Sequence, residues 1–395
     1  MKFPTFMRMK GLPLNLNMYE ADETLTNKHF QEFKMSELDR IHLPESMGPF
    51  TNLSPLSTKE FIVDDNRGAV STSPYLEIDG TDFYLSVKGV GSTTNPFSHQ
   101  LLGRAEICSL LKDSRLKDRI VDSEERAPRY ITGELWLRGS PYGGQGLQHA
   151  TTSMKVSEMA DLTSIHGFRV APVVKIAFLP ESLEIEIKKI FWYRRFRGRM
   201  VQEARLVPSN VRIYFHSGST IGGNISSIFD LFGIDENDKA LGFLENFVKS
   251  GIAFLTLFAR SLKSNEDGTF SGLDFSDVWL DKDAVLAPDG TIYFVDLEGL
   301  EWITIGREKV REKIDDQIYR SLYEFIYAYE QIERERSARF GEVMDRKVQF
   351  EHLLREALKD DEVVQLAREG ESLELIVGNI LGEQSVIGKF PIIDW

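Results

Sequence analysis

One cysteine, Cys108, stands in a chain of 395 residues. A single thiol excludes an intrachain disulfide and any zinc site built on cysteine pairs, so a reducing compartment is expected. Long apolar runs are scarce too. The most apolar stretch, Gly251 to Ala259, is closed off by Lys249 and Arg260, well short of the ~20 residues that span a bilayer; it reads as a buried helix, and no membrane partner is expected. Basic excess is absent. With 47 Lys and Arg against 61 Asp and Glu the net charge is -14, which argues against nucleic acid as a partner because phosphate backbones reward a basic surface. The opening string MKFPTFMRMKGLPL holds basic residues without the sustained apolar core of a secretory signal, and the expected location is the cytoplasm. Internal repeats, low-complexity linkers and heptad arrays are lacking as well.

What is present is an ordinary globular composition, 42% hydrophobic and 27% charged, on a chain long enough for two cores. Residues 1–57 mix Pro, Asn and Met without periodicity and read as an irregular N-terminal extension. Residues 58–215 are mainly strand-like, with a charged helical insertion near 98–137. Within them YLEIDGTDFYLSVKG is two apolar runs around an Asp-Gly turn, a hairpin signature that delivers Lys88 at the end of its second strand. A helix is expected over Thr151 to Ser164. Residues 216–395 are dominated by helical periodicity, broken by a short strand pair around Pro288-Asp289-Gly290. The expected class is α+β, a β-rich lobe followed by a helical lobe.

Three groups of residues carry possible chemistry. SGLDFSDVWLDKDAVLAPDGTIYFVDLEG follows a long apolar helix and ends its second strand at Asp296. In the protein-kinase fold, a strand after the catalytic loop is followed by one ending in an Asp-x-x-Gly turn whose aspartate binds magnesium. Magnesium takes hard oxygen ligands and leaves much of its shell to phosphate and water, so Asp296 with Asp274 or Asp277 would suffice. Lys88 suits a phosphate contact as a point charge and needs a carboxylate partner; Glu106 is the closer candidate in sequence and Glu158 the other. Gly143 and Gly144 in SPYGGQG would let backbone amides approach phosphate. RLVPSNVR sets Arg205 and Arg212 seven residues apart around a Pro-Ser turn, a spacing that suits a bidentate clamp on phosphate.

These strings in this order resemble the selenoprotein O family, kinase-fold enzymes that transfer AMP from ATP to protein hydroxyls. LSVKGVGSTTNPF is similar to the family's L-K-G-A-G-R-T-P-Y-S, VSEMADLTSI to its S-E-A-M-x-x-L-G-I, ARLVPSNVRI to its R-V-A-P-S-x-x-R-F, and FVDLEG to its I-D-Y-G. The resemblance covers about residues 80 to 300 and implies a two-lobed kinase-like fold. It implies ATP with Mg2+ or Mn2+ as cofactors, and a protein Ser, Thr or Tyr hydroxyl as acceptor. By it Lys88 pairs with Glu158, Arg205 and Arg212 grip phosphate, and Asp296 binds metal. The family's T-D-N aligns either on Phe275-Ser276-Asp277, making Asp277 a metal ligand, or on Ser276-Asp277-Val278; the first lets Val278-Trp279-Leu280 begin the following strand. Asp274 then stands near the acceptor. The family's D-G-R-A loop is YGGQG here, and some forty additional residues separate the lysine strand from the glutamate helix. Two other activities remain compatible with these residues: ordinary γ-phosphate transfer, and a catalytically silent pseudokinase acting as a regulator.

Overall fold

The computed structural model describes residues 13–33, 35–44, 58–64, 68–90, 145–165, 167–190, 199–212, 228–275 and 280–341. The chain is a mixed α+β protein that divides into two compact units. One comprises Met1–Thr163, Ala171–Asn210 and Ser217–Ser226; the other comprises Ser164–Val170, Val211–His216 and Ser227–Trp395. The insertion expected at 98–137 lies outside the described residues.

The first unit is built on an antiparallel sheet. Its strands are β1 (Pro13–Glu20), β2 (Thr24–Thr26), β3 (Arg40–Pro44), β4 (Thr58–Asp64), β5 (Gly68–Ile78), β6 (Thr81–Lys88), β7 (Gln145–Gly146), β10 (Val173–Phe178) and β11 (Met200–Val207). They pair in the order β2-β10-β11-β6-β5-β4-β1-β3, with β7 added to β11. The β5–β6 hairpin expected from its Asp-Gly turn is there: Asp79 (φ 51°) and Gly80 (φ 76°) both adopt left-handed backbone, as a type I′ turn requires.

Residues 13–44, expected to be irregular, supply three of the strands. Their alternation is hidden because Leu16, Asn17, Met18 and Tyr19 are all buried, and a strand covered on both faces has no polar side to alternate with. The link between β1 and β2 also dictates the shape of this sheet. The two strands stand six places apart in the order, about 29 Å in a flat sheet. Yet only Ala21–Glu23 join them, a reach of at most about 14 Å, so the sheet must roll. The roll is fastened by Gln202 of β11, whose side chain accepts from the His42 amide (2.7 Å) and donates to the His42 carbonyl (2.6 Å). This carboxamide gives the end strand β3 the partner that a further strand would have provided.

Helix α1 (Leu147–Met159) packs Ala150 and Met154 against Val173, Ile176, Phe178 and Val201. It begins four residues earlier than expected and stops at Ala160, two residues before Leu162 turns left-handed (φ 54°). Helix α2 (Glu181–Ile190) follows β10.

The second unit holds the hairpin β8 (Ser164–Ile165) and β9 (Phe168–Arg169), then α3 (Ile228–Phe232), α4 (Asn237–Leu255) and α5 (Leu257–Ser261). Next come β12 (Lys263–Ser264), β13 (Phe270–Phe275), α6 (Leu280–Asp283), β14 (Ala284–Leu286), β15 (Ile292–Phe294), β16 (Leu300–Ile305) and α7 (Val310–Phe340). The apolar run Gly251–Ala259 is buried, as expected, across α4 and α5. Within α4, Ala240, Phe243, Leu244, Phe247, Val248 and Gly251 face the core at helical spacing. At Gly251 a Cβ would fall 2.0 Å from the Phe325 ring of α7, so only glycine lets the two helices come this close. Helix α7 ends at Gly341 (φ 76°), whose amide caps the Ser337 carbonyl at 3.0 Å.

Phe254, near the end of α4, is the centre of an aromatic stack. Its ring lies 4.6 Å from Phe275 and 4.6 Å from Phe294, and Phe294 lies 4.6 Å from Phe168. Phe275 ends β13 and Phe294 ends β15, so one side chain anchors the strands that lead into both acidic segments. Phe254→Ala is expected to cost about 3–5 kcal/mol, read as a lower urea midpoint with an unchanged slope.

Candidate functional site

In the first unit, the register of β6 against β11 sets Lys88 directly opposite Glu203 and Ser86 opposite Arg205. Directly opposed residues point to the same face of a sheet, and residues two apart on a strand share it. Lys88, Ser86, Glu203 and Arg205 therefore form one polar cluster. Ile176 and Phe178 of β10 lie opposite Glu203 and Val201, so this is the face that α1 covers further along. The cluster is deeply buried: Lys88 is 6% exposed, Arg205 4% and Glu203 0%. A carboxylate withdrawn so far from water persists only with cations beside it, and the Arg205 guanidinium donates to Glu203.

Glu158 sits in the last turn of α1. Its carboxylate accepts a hydrogen bond from the Lys28 amide at 3.1 Å, and its carbonyl meets the His29 ring at 3.1 Å. The short 3₁₀ turn Lys28–Phe30 thus holds the end of the helix. The preceding Asn27, fully buried, bonds Val173 (2.8 Å) and Ser157 (3.2 Å). The Glu158 carboxylate, which the family resemblance pairs with Lys88, accepts from the Lys28 amide, and the residue opposite Lys88 in the strand register is Glu203. Glu203 was missed in the sequence, although the alternation in MVQEARLV was available to place Glu203 and Arg205 on one face.

No family model matches the chain, and no curated protein or solved structure is significantly similar to it. The second group of residues has therefore to be weighed by its geometry alone. In the second unit, β14 and β15 form a hairpin in which Ala284 faces Phe294 and Leu286 faces Ile292. Its turn is seated on α4. Gly290 has φ 93° and a Cβ there would fall 2.1 Å from the Phe243 carbonyl; Asn246 donates to the Asp289 carbonyl (3.0 Å) and Ser250 accepts from the Ile292 amide (3.0 Å). Arg212 bridges Val285 on the other side of β14, with the Val211 carbonyl accepting from the Leu286 amide (2.8 Å). Arg205 and Arg212 fall in different units.

At the open end of this hairpin the Val295 amide donates to the Asp283 carbonyl at 2.7 Å. Asp283 therefore stands across from the residue that precedes Asp296. Asp283 is 1% exposed. Asp296 is half-buried and opens the 3₁₀ turn Leu297–Gly299 without a side-chain capping bond to it. Of the strand expected to begin at Val278-Trp279-Leu280, the first two residues lie outside the described residues; Leu280 starts a turn of helix, and the strand described after it is Ala284–Leu286. The acid nearest in register to Asp296 is thus Asp283, which the sequence reading passed over although AVL before Pro288-Asp289-Gly290 mirrors IYF after it. Asp277, Gly143 and Gly144 lie outside the described residues.

Asp274, expected near the acceptor, is held by residues of α7. It is 4% exposed; one oxygen pairs with Lys313 Nζ at 2.6 Å and the other accepts from Gln317 at 3.4 Å. Gln317 in turn accepts from the Phe258 amide at 2.7 Å. Both carboxylate oxygens are engaged in tying β13 to α7.

Among the described residues no three His, Cys, Asp or Glu side chains gather as a metal cage. The donor set at the hairpin end, two aspartates, nevertheless fits a hard divalent ion that keeps water and phosphate in its shell. Asp274→Ala is expected to cost about 3 kcal/mol by removing the nearer carboxylate partner of Lys313, which keeps Asp316 at 3.9 Å. Chemical denaturation checks this, and Lys313→Met combined with Asp274→Leu should recover most of the loss.

Proposed function

We propose that this chain binds ATP with a divalent cation and transfers AMP to a protein hydroxyl, on a kinase-like fold. The observation that carries the reading is the order β6, α1, β10, β11, in which a buried lysine ends one strand and a buried Glu-Arg pair occupies the strand beside it in the sheet. Cations held on adjacent strands, backed by a helix, suit a polyphosphate: Lys88 offers a compact charge and Arg205 a planar fork. The helical second unit supports the same reading. A long apolar helix, α4, precedes a short hairpin that ends in Asp296, the order found around kinase metal sites.

Asp296 and Asp283 are the residues that would hold Mg2+ or Mn2+, which supplies charge neutralisation on phosphate oxygens. In the transfer, the acceptor oxygen forms a bond to the α-phosphorus, the bond from that phosphorus to the bridging oxygen breaks, pyrophosphate leaves, and the hydroxyl proton passes to solvent. Lys88 and Arg205 orient the β- and γ-phosphates, so that the protein contributes position and fixed charge. AMP transfer, as opposed to phosphate transfer, rests on the similarity of LSVKG, VSEMADL, ARLVPSNVR and FVDLEG to the selenoprotein O motifs.

Incubation with Mg2+ and ATP labelled at the α or the γ position, with the protein itself and a mixed-protein acceptor, separates the activities. Label is expected from the α position. Label from γ alone would assign phosphotransfer and overturn the AMP reading, and ATP-induced thermal stabilisation with no transfer would mark a nucleotide-binding regulator instead. Asp296→Asn and Asp283→Asn are each expected to lower transfer by about 100-fold or more; full activity in the Asp283 variant would remove that residue from the metal site.

A further inference from the structure

We propose that Glu203, borne on the strand beside Lys88, is the positioning residue that holds Lys88 and Arg205 for the nucleotide phosphates, in place of the helix residue Glu158. The proposal rests on the ATP-binding reading above. Four observations converge on it. Glu203 lies opposite Lys88 in the β6–β11 register, which brings their Cβ atoms to about 5 Å. The Arg205 guanidinium donates to the same carboxylate. All three residues are almost withdrawn from solvent, so their mutual attraction is weakly screened. Glu158, meanwhile, has its carboxylate on the Lys28 amide.

The choice of strand over helix has a chemical consequence. A glutamate on a helix moves when the helix moves, whereas one on β11 is fixed by the ladders to β6 and β10. The spacing of the two cations is then a property of the sheet. The α1 end is held independently, through Asn27 to Val173 and Ser157, and through the Ser157 hydroxyl accepting from the Val173 amide at 2.9 Å. Glu203 also competes with phosphate for both cations. Removing its charge should therefore leave ATP affinity intact or raise it, while the two cations lose the geometry that aligns the α-phosphorus. A residue serving only the core would not separate binding from turnover in this way.

The full-length protein, Glu203→Gln and Glu203→Asp are compared by calorimetric titration with MgATP and by the rate of α-label transfer, with a cooperative thermal melt required of each. In both variants the Kd for MgATP is expected to stay within threefold of wild type or to tighten, while kcat falls at least tenfold, with the Asp variant intermediate. Where Glu203→Gln does not melt cooperatively, Glu203→Asp decides. Wild-type kcat in a folded variant, or failure of both variants to fold, would overturn the proposal by leaving Glu203 with a structural role alone. A tenfold kcat loss in Glu158→Gln beside an unaffected Glu203→Asp would return the role to the helix. If the wild-type protein neither binds MgATP nor transfers label, the ATP reading itself fails, an outcome distinct from all of these.

Discussion

The ring of Phe254 sets where both acidic segments of the second unit begin. By stacking on Phe275 and Phe294 at once, it ties the end of β13 and the end of β15 to the same turn of α4. Aromatic pairs at this spacing add to an already large burial of apolar area, and the hairpin turn is pinned independently by Asn246, Ser250 and the close approach at Gly290. A rigid strand pair is what a charged site requires. The pinned hairpin fixes the backbone positions of Asp283 and Asp296 at neighbouring strand ends without help from a counterion.

The first unit solves a related problem by other means. Its sheet carries a lysine, an arginine and a glutamate where an apolar layer would otherwise lie; Arg205 donates to Glu203, and Lys88 stands opposite the same residue in register. On the opposite face Lys175, 7% exposed, pairs with Asp39 at 2.5 Å. Polar side chains also replace backbone pairing at the rolled margin, Gln202 for β3 and Asn27 for the α1 end. Such groups favour one arrangement because any other leaves them buried without partners.

How much of this could be read beforehand depends on the kind of signal. The β5–β6 hairpin was legible because Asp79-Gly80 has a single conformational meaning between two apolar runs. The burial of the apolar run Gly251–Ala259 was legible, but not the break at Thr256 that divides it between α4 and α5. Strand β1 was not, since burial on both faces erased its alternation. Glu203 was not recognised because its pairing is long-range, finding Lys88 across more than a hundred residues, whereas Asp283 was passed over although the hairpin that sets it across from Val295 is local. The partners of Asp274 were hidden for the same kind of reason as that of Glu203. Its motif context suggested chemistry, while the cation that engages it, Lys313, is carried on a helix far along the chain.

The Gln202 clasp on His42 reaches back 160 residues. A chain emerging from the ribosome at about 5–20 residues per second would expose β3 for roughly 8 to 32 seconds before that carboxamide exists. Over this interval β1 and β3 can pair with each other, yet the roll cannot close, and a strand margin without its final partner invites pairing with other chains. Assembly of the first unit thus waits on a late, distant contact, the same one that completes its sheet.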